Sequence, residues 1–385
     1  MREAPPLAEP PAVSVIVVAY NEEARVRRCL ESLRAQSWTD FEVIVVDNAS
    51  TDRTGEIVRT EFPEFTHALQ ASNLGFSEGT NAGYRLAHAA IIAFLNADAW
   101  VPPNWLEDLV RPLRAEGSGG VGCTHSPVLN EGAAYRESTA TFDPSAARLS
   151  TLSVAGRNCT TRLPWNADDP FFGSGVALAV RREAAGDALF DPDYFLWSDD
   201  TSLGWRLRLE GWQLRMVATA PAHHALPFEG KPLSAMALRL AERNRLFNIY
   251  IFYTPRVRWL LKPLLALDLI GLALPKPGRV SPEGDLVPAT AAPASPEERR
   301  AQRHAVIQGV IEALASYRAL RRKHARAQAR RRVGDEAVTR SMTARLFPYD
   351  EGWVGWINRA SLAWCKAFGI PTVESAGRGT AGGEP

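Results

Sequence analysis

The sequence predicts an α/β fold in which helices cover both faces of a doubly wound sheet. Three observations predict it. Two continuous β-branched runs, at Val13–Ala19 and 41–46, have an amphipathic helical pattern between them, as in a parallel βαβ unit. A second helical pattern leads into an apolar run at Ile91–Leu95. Helix-forming sequence dominates after residue 296, so a mainly helical C-terminal region should follow the sheet.

The first helices follow from the spacing of apolar residues. Val26, Leu30 and Leu33 recur at helical intervals, and charged residues fill the other face. After the second strand we expect a loop at 72–79 and a helix at about 80–89. Strands that alternate with helices in this way favour a sheet that is covered on both faces.

Regular structure weakens in the middle of the chain and then returns. Gly, Ser, Thr and Asn predominate between residues 117 and 165, which predicts long loops or short antiparallel strands. Apolar residues resume at 173–182. Leu203 and Leu207 predict a helix that begins just after two aspartates, and a strand should follow at 213–219.

The length of 385 residues exceeds the usual size of a single core, so we expect one main domain with an appended region. A stretch rich in Pro, Gly and Ala marks the linker between them. The predicted segments are a flexible N-terminus (1–12), the α/β domain (13–255), an apolar amphipathic segment (256–274), the linker (275–296) and a helical C-terminal region (297–385).

Composition excludes several classes of protein. The net charge of +1 provides no global field for nucleic acid, so we expect no nucleic-acid partner. The four cysteines are scattered without CxxC spacing, which fits neither a zinc site nor a disulfide framework. Residues 1–11 lack the apolar core of a signal peptide. The apolar stretch at 259–274 is shorter than the ~20 residues of a membrane span. We therefore expect a cytoplasmic protein that contacts the inner face of the membrane peripherally.

Small polar residues follow three of the predicted strands. They are Ala19-Tyr20-Asn21, the stretch from Asp47 to Asp52, and Asn96-Ala97-Asp98. Ligands of open α/β sheets bind beyond the carboxyl ends of the strands. Any one of these endings could be a turn with a helix cap. The three together favour a ligand site.

The motifs that surround these endings resemble one known family. VSVIVVAYNEE, VIVVDNASTD, NLGFSEGTNAG, FLNADA and SDDTSLGWRLRLEGW occur in this order. In order and separation they resemble the family 2 inverting glycosyltransferases, whose fold is GT-A, a Rossmann-like doubly wound mixed sheet. Bacterial rhamnosyltransferase-like and galactofuranosyltransferase-like members look most similar. The resemblance covers roughly residues 13–253, and the C-terminal third lies outside it.

The resemblance implies a nucleotide-sugar site. It places Ala19, Tyr20, Asn21 and Asp47 around the nucleotide base. A carboxylate is chemically sensible there, because it can accept the imide N–H of uracil or thymine.

The same resemblance places Asn73, Gly75 and Asn81 along the ribose and pyrophosphate. Glycine permits close approach of the backbone, and the helix expected to begin near Thr80 could offer its free N–H groups to phosphate. The alternative is a glycine-rich turn with an asparagine cap.

Asn96-Ala97-Asp98 stands where the family has its metal motif, often Asp-x-Asp, so the first carboxylate is an amide here. The resemblance implies a divalent cation, Mg²⁺ or Mn²⁺, that bridges the two phosphates, with Asp98 as its main ligand. A histidine commonly completes such a site, and either His223 or His224 could do so. The alternative is that both are ordinary surface histidines.

The pair Asp199-Asp200 matches the acidic pair of the family, usually Glu-Asp. An inverting transfer needs a carboxylate that takes the proton of the acceptor hydroxyl. We assign this role to Asp200, with Asp199 as the alternative base or as a group that holds the acceptor. Either aspartate could also be simply a helix cap.

Further residues correspond to the acceptor side and to the leaving group. Gly173, Ser174 and Gly175 correspond to the acceptor-facing loop of the family. Trp197 could stack on an acceptor ring or belong to the core. Arg243 matches an Arg-Asn-Arg element whose guanidinium could neutralise the leaving diphosphate.

The predicted function is inverting transfer of a sugar from UDP or dTDP to an acceptor hydroxyl, within bacterial cell-surface polysaccharide synthesis. The partners would be a nucleotide-diphosphate sugar and a glycan or lipid-linked acceptor, and an oligomer would form through the C-terminal helices. One alternative is a nucleotide-sugar-binding module without turnover, because the metal motif and the acidic pair both depart from the family pattern. Another is a peripheral membrane scaffold, based on the apolar segment and the later arginine runs.

Overall fold

The computed structural model describes residues 10–115, 120–130, 149–156, 158–161, 170–225, 234–273, 295–347 and 352–376. The chain forms two compact units. Unit 1 contains Met1–Pro144, Ser174–Phe195 and Arg215–Ala225, and unit 2 contains Ser145–Gly173, Leu196–Leu214 and Leu226–Pro385.

The strands fall largely in the first 225 residues. They are β1 (Val13–Ala19), β2 (Phe41–Asp47), β3 (Thr66–Leu69), β4 (Ile91–Leu95), β5 (Ala99–Trp100), β6 (Val121–His125), β7 (Val128–Asn130), β8 (Leu149–Leu152), β9 (Asn158–Thr161), β10 (Ala177–Arg181), β11 (Gln213–Met216) and β12 (Ala222–His224).

The helices of unit 1 alternate with its strands, whereas unit 2 is mainly helical. Those of unit 1 are α1 (Val26–Arg34), α2 (Thr54–Glu61), α3 (Gly75–Leu86), α4 (Trp105–Arg114) and α5 (Arg182–Ala185). Those of unit 2 are α6 (Asp199–Leu209), α7 (Ala235–Phe252), α8 (Pro255–Ala273), α9 (Pro296–Ala315), α10 (Tyr317–Arg330), α11 (Asp335–Thr339), α12 (Gly352–Ala367) and α13 (Val373–Ala376).

The central sheet is mixed but mostly parallel on the side that carries the predicted site. Its strands follow the order β11-β6-β10-β4-β1-β2-β3. β1 runs parallel to both β2 and β4, whereas β10 is antiparallel to β4 and β6. The predicted α/β class with a mixed sheet and a helical C-terminal region is therefore confirmed.

Helices cover both faces of the sheet because β1 buries both sets of its alternating side chains. Val13, Val15 and Val17 belong to one apolar cluster with residues of α1 and α4. On the opposite face α3 lies very close to β1, where a Cβ atom at Gly83 would stand 2.5 Å from Cγ2 of Ile16. Glycine is required there, since any side chain would push the helix away from the sheet.

Several predicted boundaries need correction. The helix expected at about 80–89 begins at Gly75, so most of the loop expected at 72–79 is helical. The helix expected after the two aspartates begins with them, at Asp199. The strand expected at 213–219 ends at Met216. The predicted linker falls largely on 274–294, outside the described residues.

The C-terminal helices of unit 2 pack on α7. Ala305, Gly309 and Ala313 form the buried side of α9, and a Cβ atom at Gly309 would lie 2.4 Å from the carbonyl oxygen of Arg239 on α7. Small residues therefore let the two helices approach closely. The division of the chain at residue 255 stays a prediction.

Helix α8 corresponds to the predicted apolar segment. Leu261 and Leu264 are buried, and the buried carboxylate of Asp268 lies 3.2 Å from Nη2 of Arg245. Arg245 also pairs with Glu242, so this buried ion cluster has partners on both sides of the guanidinium. Within the described ranges, no helix is both long and apolar enough to cross a membrane.

Candidate functional site

The three polar strand endings meet at one edge of the sheet. β1 and β2 are in flush register, with Ala19 opposite Asp47, and β4 flanks β1 on its other side. The backbone N–H of Asn48 donates to the carbonyl oxygen of Ala19 at 2.8 Å, which joins the first two endings. Parallel pairing thus brings together groups that lie about 75 residues apart in the sequence.

The first two endings are also joined through side chains. Asn21 has a left-handed φ of 55°, its N–H donates to Oγ of Ser50 at 3.0 Å, and its Oδ1 accepts from the N–H of Thr51 at 2.8 Å. Tyr20 is 45% exposed, whereas Ala19 is buried. Tyr20 and Asn21 are therefore the predicted base contacts that are open to a ligand.

Asp47, the carboxylate assigned to the base, is buried. Its Oδ1 accepts from the N–H of Ser50 at 2.9 Å, and its Oδ2 lies 3.7 Å from Nε2 of His67. A Cβ atom at Gly55 would stand 2.4 Å from the same Oδ2. Asp47 therefore orders the turn after β2, and a base could reach it only in a conformation that opens this turn.

Asn48 connects β2 to the start of α3; it belongs to the predicted polar ending at 47–52, but no role of its own was assigned to it. Its Nδ2 donates to Oδ1 of Asn73 and to the carbonyl oxygen of Gly75, both at 3.0 Å. Its Oδ1 accepts from the N–H of Leu74 at 3.0 Å. Its position directly after a buried strand was the available signal. The predicted pair Asn73 and Gly75 is thus held against the strand ends.

The prediction that the N-terminus of this helix offers free N–H groups to phosphate needs correction. The N–H groups of Phe76 and Ser77 donate to the carbonyl oxygen of Phe195, at 2.6 and 3.3 Å. Gly75 has a φ of 75°, and a Cβ atom there would lie 2.4 Å from that oxygen. A polypeptide carbonyl occupies the position at which phosphate was expected.

Asn81 has a similar inward role in this structure. Its Nδ2 donates to the carbonyl oxygen of Phe190 at 2.8 Å, and its Oδ1 accepts from the N–H of Phe190 at 3.1 Å. Both polar ends of the amide therefore bind the backbone of another loop. This arrangement positions the loop and leaves the proposed nucleotide contact of Asn81 untested.

The third ending, after β4, contains a carboxylate–imidazole pair. Oδ1 of Asp98 lies 3.2 Å from Nε2 of His224, and both side chains are mostly buried. The pairing of β12 with β5 puts His224 beside Ala99, next to Asp98 in the chain. Neighbouring side chains of a strand point to opposite faces. His223 accordingly stacks on Trp100, with ring centroids 5.4 Å apart.

Other groups near Asp98 fit a divalent cation. Burial, and then repulsion by Asp98, raise the pKa of Glu22. The buried Oδ1 of Asn96 has no hydrogen-bond partner within the described residues. Carboxylate, amide oxygen and imidazole suit Mg²⁺ or Mn²⁺. The described residues contain no group of three or more His, Cys, Asp or Glu that could hold a metal.

Two of the predicted acceptor residues lie beside this ending. The N–H of Asn96 donates to the carbonyl oxygen of Val176 at 2.9 Å, and β10 begins at the next residue. Oγ of Ser174 accepts from the N–H of Val176 at 3.4 Å. Ser174 and Gly175 therefore precede the strand that flanks β4. Gly173 belongs to unit 2.

The acidic pair opens α6 in unit 2, and its two members differ. Asp199 is 6% exposed, and its Oδ2 has no hydrogen-bond partner among the residues described. Burial, and then repulsion by Asp200, raise the pKa of Asp199 to about 8. Asp200 is less buried, and its Oδ1 accepts from the N–H of Thr201 at 2.6 Å. At neutral pH Asp199 therefore holds a proton beside Asp200.

Trp197 and Arg243 also lie in unit 2. Nε1 of Trp197 is buried and has no hydrogen-bond partner in the described part of the chain. Nε of Arg243 donates to Oδ1 of Asn244 at 3.0 Å, and its Nη1 lies 3.9 Å from Oε2 of Glu312 on α9. The predicted cation of the leaving-group site thus already has a protein carboxylate near it.

The sheet order and the polar strand ends define an α/β domain of the GT-A type. The crystal structure of GalNAc-T7 with UDP, GalNAc and Mn²⁺ agrees at the level of the fold, with a TM-score of 0.52 and 15% identity over 81% of this chain and 58% of that one.

The family model described as Glycosyl transferase family 2 matches residues 14–188. This segment therefore matches glycosyltransferase family 2, the family that the sequence motifs resemble. Glycosyltransferase GlyA of Streptococcus pneumoniae serotype 4 is 32% identical over 127 residues, 32% of this chain and 18% of that protein.

A longer match joins the chain to the N-acetylglucosaminyl-diphospho-decaprenol L-rhamnosyltransferase of Mycobacterium tuberculosis H37Rv. The two are 27% identical over 289 residues, which are 66% of this chain and 90% of that protein. The chain aligns with only 29% to 39% of the length of three further curated glycosyltransferases. These matches cover only 26% to 36% of this chain.

The protonated state of Asp199 predicts a pH dependence of stability. Its pKa is 3.8 in an unperturbed chain and about 8 in the fold, so between these values the folded state holds a proton that the unfolded state has lost. Stability should therefore fall as pH rises through this window. Asp199→Asn should remove this contribution and be more stable than the wild type at pH 8. Thermal unfolding at pH 5 and pH 8 measures it, with the exposed Asp187→Asn as control. Equal slopes for all three proteins would contradict the assignment.

Proposed function

We propose that the chain is an inverting glycosyltransferase that moves a sugar from UDP or dTDP to an acceptor hydroxyl of a glycan or glycolipid. The observation that carries the proposal is the Asp98–His224 pair at the edge of the sheet where the polar strand ends meet. The match of residues 14–188 to the family model supports the same reaction class.

Donor binding is assigned to the strand ends of unit 1. Asp98 and His224, with the unpartnered oxygen of Asn96, would hold Mg²⁺ or Mn²⁺ against the donor phosphates. When bound, the cation would offset the charge that develops on the leaving diphosphate. Tyr20, which is exposed beside Asn21, would contact the base. The Mn²⁺ in the GalNAc-T7 structure supports a metal in this fold.

Proton removal is assigned to Asp200. A general base must be ionised and accessible, and Asp200 is the less buried member of the pair. Asp199 stays protonated at neutral pH, so it can donate a hydrogen bond. Its Oδ2 and Nε1 of Trp197 both lack partners among the described residues, which suits a polar acceptor such as a sugar. A single displacement with Asp200 as base would invert the configuration at the sugar carbon.

Rhamnose is the donor sugar that we infer, with a lipid-linked glycan as acceptor. The name of the mycobacterial relative, which matches two thirds of this chain, describes transfer of L-rhamnose to a diphospho-decaprenol carrier. This reaction would belong to cell-surface polysaccharide synthesis. A binding module without turnover is the competing function, and it predicts metal-dependent nucleotide binding without release of nucleoside diphosphate from the sugar donor.

Contact with a membrane is proposed through α9 rather than through α8. On the side of α9 opposite Gly309, the side chains of Ile307, Ile311 and Leu314 are 56%, 52% and 72% exposed. Exposed arginines lie on α9 before this stripe and on α10 after it: Arg300, Arg303, Arg318 and Arg322. An apolar stripe between cations fits the surface of an anionic bilayer. An oligomer through the C-terminal helices stays a prediction.

Removal of Asp98 or His224 should abolish the effect of metal on donor binding. In Asp98→Ala and His224→Ala, Mn²⁺ should no longer tighten UDP or dTDP binding, and the loss should exceed the roughly 10- to 100-fold typical of groups outside the coordination shell. Calorimetric titration with and without Mn²⁺ measures this. His223→Ala is the matched control, because His223 stacks on Trp100 in the same strand. Unchanged affinity in Mn²⁺ for the first two variants would refute the metal assignment.

Asp200→Asn should keep donor binding and lose transfer. The amide preserves shape but cannot take a proton, so release of dTDP from dTDP-rhamnose should fall by about 10²- to 10⁴-fold. Asp199→Asn should cost less, since Asp199 is already protonated at neutral pH. An active Asp200→Asn with an inactive Asp199→Asn would move the role of base to Asp199. Activity in both variants would exclude this mechanism.

Membrane contact predicts sensitivity to lipid charge. The full chain should sediment with vesicles that contain phosphatidylglycerol and not with pure phosphatidylcholine vesicles. Replacement of Ile311 and Leu314 by serine should abolish this sedimentation, because it removes the apolar contact. Leu69→Ser, at an exposed leucine of β3, is the control. If the double serine variant of α9 sedimented with phosphatidylglycerol vesicles as fully as Leu69→Ser does, α9 would be excluded as the contact surface.

A further inference from the structure

The backbone just before the acidic pair is in an unfavourable conformation. Trp197 and Ser198 have φ angles of 72° and 60°, in the left-handed region, and neither is a glycine. Such conformations are strained in residues other than glycine and persist only where their surroundings hold them. Ser198 is also the N-cap residue of α6, and within the described residues its side chain makes no capping hydrogen bond. The direction in which α6 starts therefore depends on contacts from elsewhere in unit 2.

Asn244 of α7 supplies the main contact. It is fully buried, and its Nδ2 donates to the carbonyl oxygens of Leu196 and Trp197, at 2.9 and 2.8 Å. Asn248, one turn further along α7, donates to the carbonyl oxygen of Ser198 at 3.4 Å. A primary amide has two N–H bonds on one nitrogen, so it can bind two successive carbonyls in this way. Aspartate, with the same shape, could not.

The orientation of the Asn244 amide is fixed from its other end. Its Oδ1 accepts from Nε of Arg243 at 3.0 Å. Oxygens of Glu312 on α9 lie 3.9 Å from Nη1 of Arg243 and 3.5 Å from Nη1 of Arg239. Gly309, three residues earlier on α9, allows the close approach of α9 to α7. Helix α9 of the C-terminal region thus contacts the turn of α7 that contains Asn244.

We propose that Asn244 is a positioning residue, which holds Trp197 and Ser198 in the left-handed conformation and so aims Asp199 and Asp200 at the acceptor. Helix α9 supports it through Arg243, which gives the C-terminal region a part in transfer. The inference rests on the proposed role of the acidic pair. It assigns Asn244 no contact with substrate.

The test combines loss of the amide with relief of the backbone strain. Asn244→Ala should lower kcat for release of dTDP from dTDP-rhamnose with Mn²⁺ by about 10- to 100-fold, because small misplacements of catalytic groups cost that much. KM and nucleotide affinity should change little. Ser198→Gly should be nearly neutral in the wild type, since glycine adopts left-handed φ at no steric cost. In the Asn244→Ala background it should restore much of kcat, which a merely structural role of Asn244 would not predict.

Asn248→Ala is the milder companion variant, because it removes only the long bond to Ser198. It should reduce kcat in the same direction but less, and Ser198→Gly should again restore it. If Asn244→Ala does not fold, the comparison of Asn248→Ala with Asn248→Ala/Ser198→Gly tests the positioning role instead. Full activity of folded Asn244→Ala, or of Asn248→Ala when Asn244→Ala is unfolded, would overturn the proposal. So would absence of rescue by Ser198→Gly. If Asp200→Asn is itself fully active, the proposed function has failed; if it is inactive while Asn244→Ala is active, only the positioning role has failed.

Discussion

The close approach of α3 to β1 is the constraint on which the arrangement of unit 1 depends. Gly79 and Gly83 leave no side chain between the helix and Val18 and Ile16 of the strand. The start of α3 is consequently drawn to the ends of β1 and β2, within reach of Asn48. Because the backbone of α3 lies against side chains of the strands there, the start of the helix is shaped by main-chain groups and by one buried amide. Larger side chains at either glycine would change the loop as well as the helix.

Two mostly buried aspartates of the chain, Asp98 and Asp199, differ in how the cost of burying a negative charge is reduced. Asp98 is mostly buried beside an imidazole, and the neighbouring Glu22 increases the negative charge that a cation could neutralise. Asp199 has no such partner among the described residues, so it retains its proton instead. One site thus favours a positive ligand, and the other offers a hydrogen-bond donor beside a second carboxyl group. The difference follows from the surroundings, since both groups are aspartates.

The sequence alone predicts a structural feature correctly where the residues of a single segment determine that feature. Three such features depend only on neighbouring residues. They are the β-branched runs of β1 and β2, the helical spacing of Val26, Leu30 and Leu33, and the polar strand ends. The sequence alone does not predict a feature that depends on contacts between segments far apart in the chain. The choice between His223 and His224 depends on the pairing of β12 with β5. The N–H groups of α3 were expected to be free because nothing local indicates that the carbonyl of Phe195 binds them.

The order in which the chain builds its two units limits how it can be divided. It passes from one unit to the other after residues 144, 173, 195, 214 and 225. A single proteolytic cut or a single recombination point therefore cannot yield either unit intact. The residues that match the family model end at 188, eleven positions before Asp199, so that segment would carry the strand ends without the acidic pair. Chimeras that exchange donor specificity among relatives would need paired junctions at these crossings.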